Sequence, residues 1–146
     1  MKRVVEERIQ LNQNTSGMVE TDATAAVETD IIAYTVPDNS EIIFNPADFV
    51  ALYLEDNATT PAELAAATRV RVVLTDPLSR RTKTIAEGEY TVFKEFQDST
   101  KKYYFGQRVV CPANFIILIK VTPVATVDAS DCRYTLSCTN IYETLD

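Results

Sequence analysis

The stretch FIILIKV, from Phe115 to Val121, decides the fold class. Read with a period of two, Phe115, Ile117, Ile119 and Val121 share one face, and Ile116 and Leu118 occupy the other until Lys120 breaks it. A strand with one wet face would alternate more cleanly. This one belongs at the centre of a sandwich, or one of its faces meets another subunit. Its neighbours in sequence carry the same period. RVRVVLTD (Arg69 to Asp76) sets Val70, Val72 and Leu74 against Arg69, Arg71 and Thr75. CRYTLSCTNIY (Cys132 to Tyr142) turns Tyr134, Leu136 and Cys138 inward. FVALYLED (Phe49 to Asp56) and EYTVFKEF (Glu89 to Phe96) have the aromatic and β-branched content of half-buried strands. DIIAYTV, SEIIF, RTKTIAEG and YYFGQRVV bring the expected total to about eight or nine short strands.

The breaks between these segments have turn chemistry. PDNS after Val36, NPAD after Phe44 and DPLSRR after Thr75 combine Pro, which fixes φ, with Asp or Asn, which bond nearby backbone. Gly88, inside EGE, is expected to supply a positive φ. One helix is expected. In TTPAELAAAT, Thr60 caps, Pro61 takes the first helical position and Glu63 completes a capping box, giving two turns from Pro61 to Ala67. The expected fold class is therefore all-β: an antiparallel β-sandwich, jelly-roll-like, with one short inserted helix.

The first 26 residues read differently. RVVEERIQL (Arg3 to Leu11) has the content of one strand, but NQNTSGMVETDATAA (Asn12 to Ala26) is small, polar and acidic. Within it begins a repeat, VETD at Val19 and again at Val27, separated only by Ala and Thr. Such a stretch buries too little to offset its ordering entropy alone. The expected organisation is an extended N-terminal arm over residues 1–26 and a sandwich domain over 27–146. The arm either frays or orders on a neighbour.

The chain has 146 residues and 46% hydrophobic residues, enough for one core. No apolar run approaches the roughly 18 residues of a membrane span. MKRVVEER has a basic start with no apolar region behind it, so no secretory signal is read. The net charge is −7 and is unevenly laid out. Between Ile9 and Thr68 there are ten acids and no Lys or Arg; from Arg69 to Arg108 nine basic residues meet five acids. This layout serves either a solvated surface or complementary faces that meet between subunits. A net basic face for nucleic acid is missing.

Chemistry is scarce. There is no His, which removes imidazole bases and the commonest zinc ligand. Three glycines leave no room for a phosphate-cradling loop. Cys111, Cys132 and Cys138 lack metal-ligand spacing and read as buried thiols. A Cys132–Cys138 disulfide is excluded if both lie on one strand, because they would be about 20 Å apart; Cys111 could link to either, but the odd count leaves at least one free thiol, and a reducing compartment is expected. Asp128 to Asp131 (DASD) reads as a polar loop before a calcium site. Glu55 with Asp56 is a carboxylate pair without a visible cleft. Asn14 and Asn57 match glycosylation acceptors by chance. No catalytic residue, cofactor or metal is expected, and the chain is not expected to be an enzyme. Tyr53, Tyr90, Tyr103, Tyr104 and Phe105 leave a sugar-stacking platform open.

An acidic chain of this length with an arm over Met1 to Ala26, the alternating strands FVALYLED and RVRVVLTD and the two-sided strand FIILIKV resembles the auxiliary (decoration or cement) head proteins of tailed bacteriophages. The resemblance is one of architecture over the whole chain. It implies a structural virion protein on the outer capsid surface, assembled in the host cytoplasm, that binds the major capsid protein lattice. It implies a homo-oligomer, a trimer favoured, with no nucleic acid and no membrane as partner. The expected interface residues are Val4, Val5, Ile9 and Leu11 of the arm, and Ile116 and Leu118 on the second face of FIILIKV. Two alternatives stand beside it: a carbohydrate-binding or adhesin module, and a jelly-roll capsid or tail-fibre subunit.

Overall fold

The computed structural model describes residues 2–60, 62–65, 68–93 and 102–145. Among them the chain forms eleven strands: β1 (Lys2–Leu11), β2 (Met18–Glu20), β3 (Thr29–Thr35), β4 (Ser40–Phe44), β5 (Phe49–Tyr53), β6 (Arg69–Thr75), β7 (Thr82–Glu89), β8 (Tyr103–Tyr104), β9 (Val109–Cys111), β10 (Ile116–Thr122) and β11 (Arg133–Leu145). They make two antiparallel sheets, as expected of a sandwich.

One sheet runs β2-β3-β10-β6-β7, with FIILIKV at its centre as β10. Register explains why both of its faces are apolar. Ile117 lies between Tyr34 and Leu74, and Ile119 between Ile32 and Val72. All six are buried in the core between the sheets. On the outer face Leu118 lies between Ala33 and Val73, and Ile116 between Thr35 and Thr75. Burying each large side chain in the inner row contributes about 1.5–3 kcal/mol.

The other sheet is organised around β11. Leu136 pairs with both Leu11 and Val50, and Thr139 with both Arg8 and Ile43. A strand residue has one neighbour on each edge. So β1 occupies one edge of β11, and β4 and β5 share the opposite edge end to end. Beyond them β9 pairs with β4 and β8 with β5. Between β4 and β5 the chain leaves the ladder at Asn45 to Asp48, the NPAD turn read from sequence.

Several expectations are corrected. The arm is not separate from the sandwich. β1 pairs with β11 along its whole length, from Lys2↔Leu145 to Leu11↔Leu136. The polar stretch behind it is tied down by backbone bonds: Thr21 donates to Ile31, Ala23 and Val127 exchange bonds, and Ala26 donates to Pro123. These satisfied amides order a segment that has little to bury, so the first VETD repeat runs from β2 into a fixed connection and the second runs into β3. The expected helix is absent from Ala62 to Ala65; Pro61, Ala66 and Ala67 lie outside the described residues. Asp56 draws that segment back instead, donating its N–H to Ala62 O and accepting from Ala62 N–H, while Glu63 bridges Glu55 and Leu64 is buried. EYTVFKEF is not a strand from Tyr90 to Phe93. Tyr90–Val92 is a 3₁₀ turn, tied by the Tyr90 N–H to Thr68 O at 2.7 Å, and Lys94 to Phe96 lie outside the described residues. Gly88 has no positive φ; it sits in β7, where a Cβ would lie 2.9 Å from Val92 Cγ2. Among the glycines, Gly17 and Gly106 take positive φ values.

Candidate interaction surfaces

The most organised polar site lies where β4 leaves the ladder. Asp48 is fully buried and accepts from four directions. Asn45 N–H reaches Oδ2 at 2.7 Å and Ser137 Oγ–H reaches Oδ1 at 2.9 Å. Arg8 supplies a two-pronged pair, Nη2 to Oδ1 at 2.6 Å and Nη1 to Oδ2 at 3.3 Å. Ser137 Oγ in turn accepts from Phe49 N–H at 3.0 Å. Burial alone would raise the Asp48 carboxyl, but the bonds from Arg8, Asn45 and Ser137 outweigh it and hold it below its ordinary range. Arg8 belongs to β1 and stands on the far edge of β11. The carboxylate therefore links the turn, β11 and β1. Sequence reading took Asp48 as turn chemistry only; its partner 40 residues away leaves no local signal.

β1 is the first candidate surface. Among the described residues it pairs with β11 alone, so its other edge has no partner strand. The expected interface residues divide along it. Val4 is 62% exposed, Val5 and Ile9 are half-buried, and Leu11 is in the core. Lys2, Arg3, Glu6, Glu7, Arg8 and Gln10 are all exposed.

The second surface is the outer face of the β10 sheet. Leu118 is only 9% exposed and Val73 1%, while Ile116 is half-buried and Val19 open. In register Leu118 lies between Ala33 and Val73, and it is buried although it sits on the outer face. Beside this apolar row runs a charged one. Lys120 Nζ lies 2.7 Å from Asp30, and Arg71 makes two bonds to Glu28 at 2.6 and 3.0 Å. Arg71 holds the Glu28 carboxyl below its usual range. Glu28 and Arg71 come from the acidic and basic blocks, which meet here inside one chain.

The five aromatic residues that left a sugar platform open differ in exposure. Tyr90 and Phe105 are buried, Tyr103 stacks on Phe93 at 4.8 Å, and Tyr53 lies under Arg133 at 4.6 Å. Tyr104 is exposed, edge-on to Phe49. The Tyr90 hydroxyl accepts from Leu54 N–H at 2.9 Å. Cys111, Cys132 and Cys138 are free and buried. Burial pushes the Cys111 and Cys138 thiols up to about 12 and Cys132 to about 11, the opposite of a reactive thiolate. Among the described residues no group of His, Cys, Asp and Glu is placed to hold a metal. No helix among them is long and apolar enough to cross a membrane. Asp128 to Asp131 close a 3₁₀ turn, with Ala129 N–H bonded to Asp22.

No family model matches the chain, and no curated protein sequence matches it. Solved structures do. The chain is similar to VP17, a capsid protein of bacteriophage P23-77, with a TM-score of 0.67 at 6% identity, over 99% of this chain and 100% of that one. It is also similar to a chain of the VP16-VP17 complex, a complex of the two major capsid proteins of the same phage, with a TM-score of 0.65 at 6% identity, over 93% and 98%. At this identity the likeness is one of fold.

Proposed function

We propose that this chain is a structural protein of a virus particle, with other capsid subunits as its partners. The observation that carries this reading is the correspondence of its sandwich with VP17 over 99% of this chain and 100% of that one. The character of its side chains supports it: buried thiols, and a buried carboxylate that links strands and a turn. Function in this reading is mechanical. Many modest contacts repeated by symmetry hold a shell together more firmly than any single interface.

Two versions of the reading differ in what they require. A shell-building jelly-roll subunit is needed for the particle to form. A decoration protein, trimeric on the outside of a major capsid lattice, adds to a shell that forms without it. The folding of β1 onto its own sheet favours the first, because a clasping arm would need to be free. The test is to co-express the chain with the other structural proteins of its particle and image the products by electron microscopy. Loss of closed shells when the chain is omitted supports shell building. Intact shells that lack only surface features would assign decoration. Particles purified without any trace of the chain would overturn both. Specific binding in a glycan screen, with no particle association, would favour the adhesin alternative.

A further inference from the structure

The free edge of β1 has an unusual charge order. Lys2-Arg3-Val4-Val5-Glu6-Glu7 reads basic, basic, apolar, apolar, acidic, acidic. We propose that β1 pairs antiparallel with β1 of a second copy of this chain, so that the β11 sheets of two molecules become one continuous sheet about a two-fold axis.

An exposed edge is a template for another strand, and proteins blunt it with Pro, bulges or short length. β1 has none of these. It is ten residues long with no Pro, and its register with β11 is unbroken. Its remaining defence is charge, and that charge is self-complementary. Two identical antiparallel edges related by a two-fold axis must place one residue opposite its own copy. Centred on Val5, Arg3 stands opposite the second copy's Glu7, and Glu7 opposite its Arg3, on one face. Centred on Val4, Lys2 stands opposite Glu6 in the same way on the other face. In both registers the valines meet at the axis. In the Val5 register Lys2 and Arg8 come opposite one another, but Arg8 is already bonded to Asp48. Parallel pairing in register would set Lys2 on Lys2 and Glu6 on Glu6, so the same charges that permit the antiparallel pair oppose the parallel one. A second copy is thus the occupant that the pattern fits. The inference concerns self-association alone and does not depend on a role in a virus particle.

The test uses the purified full chain in analytical ultracentrifugation. The wild type should move from 16.3 kDa toward twice that mass as concentration rises, with β1 amides gaining hydrogen-exchange protection in step. Lys2→Glu with Arg3→Glu makes the segment acidic throughout. Glu6→Lys with Glu7→Lys makes it basic. Each variant alone should associate about tenfold more weakly, since matched pairs become like-charge pairs. An equimolar mixture of the two should restore the dimer. Far-UV circular dichroism checks that both variants fold. A wild type that stays monomeric at its highest soluble concentration overturns the proposal. So does a dimer whose β1 protection is independent of concentration, a reading that needs no variant, or a pair of folded variants whose mixture fails to associate.

Discussion

Asp48 shows how one carboxylate can tie a turn to two strands. It is fully buried, while its ionic partner Arg8 is 63% exposed. The guanidinium therefore contributes modestly, and the greater effect is the satisfaction of Asn45 N–H and Ser137 Oγ–H. Asp48→Ala leaves both donors without their acceptor. Urea unfolding should show a loss of about 2–3 kcal/mol, whereas Arg8→Ala, which leaves an acceptor still bonded twice, should cost about 1 kcal/mol. The acid limb of stability tests the same site. A carboxyl held low in the folded state contributes stability that is complete above its unfolded value of about 4 and is lost as pH falls through the folded one. Asp48→Asn should flatten the stability profile below about pH 4. An unchanged acid limb in that variant would remove Asp48 from the account.

At the scale of elements, β1 and β10 each reverse an expectation built on local composition. The segment around β1 looks detached because it is polar, yet its backbone is fully laddered on β11. Trypsin should cut at Arg80 and Arg81, in the exposed turn joining β6 and β7, before it cuts at Arg8 within β1. Early release of a fragment ending at Arg8 would make the segment an arm after all. For β10, the two residues of its outer face are not equivalent. Leu118 is enclosed between Ala33 and Val73, so Leu118→Asp places a charge where no partner waits and should cost 3 kcal/mol or more, on the order expected for an unpaired buried charge. Ile116, flanked by Thr35 and Thr75 and half-buried, should accept Asp at a cost of about 1 kcal/mol. Equal losses in thermal or urea unfolding would show that the two positions share one environment.

Burial keeps the three thiols neutral, and with them tyrosines that include Tyr90 and Tyr134. Cys111, Cys132 and Cys138 are raised to about 12, 11 and 12, and Tyr90 and Tyr134 are raised as well. In the unfolded chain the thiols ionise near 8.5 and the tyrosines near 10. Below about pH 8.5 these groups are neutral in both states and cost nothing. Above it the unfolded chain releases protons that the folded chain keeps, so stability falls until the folded values are passed. Each group steepens the fall by up to about 1.4 kcal/mol per pH unit. Circular dichroism should show alkaline unfolding in the region of about pH 9–10, and replacing Cys111 and Cys138 by Ala should move it upward. Rapid labelling of all three thiols at neutral pH in the folded protein would contradict the burial on which this rests.

The all-β class was written in the sequence. A period of two is a property of neighbouring residues, so the alternation in RVRVVLTD and the two-sided FIILIKV announce strands without reference to anything distant. The absence of catalytic histidine and of glycine-rich loops was equally local. What only the tertiary structure decided was pairing. Whether RVVEERIQL lies free or docks depends on β11, more than a hundred residues away, and on a bond between Arg8 and Asp48 that neither residue's neighbours foretell. The capping pattern at Thr60 to Glu63 promised a helix, but two bonds to Asp56 and the burial of Leu64 outweigh a two-turn helix, which is marginal alone. Strand identity follows from side-chain alternation along the chain. Strand partnership follows from the burial and hydrogen bonding that distant segments offer, which the order of residues by itself does not display.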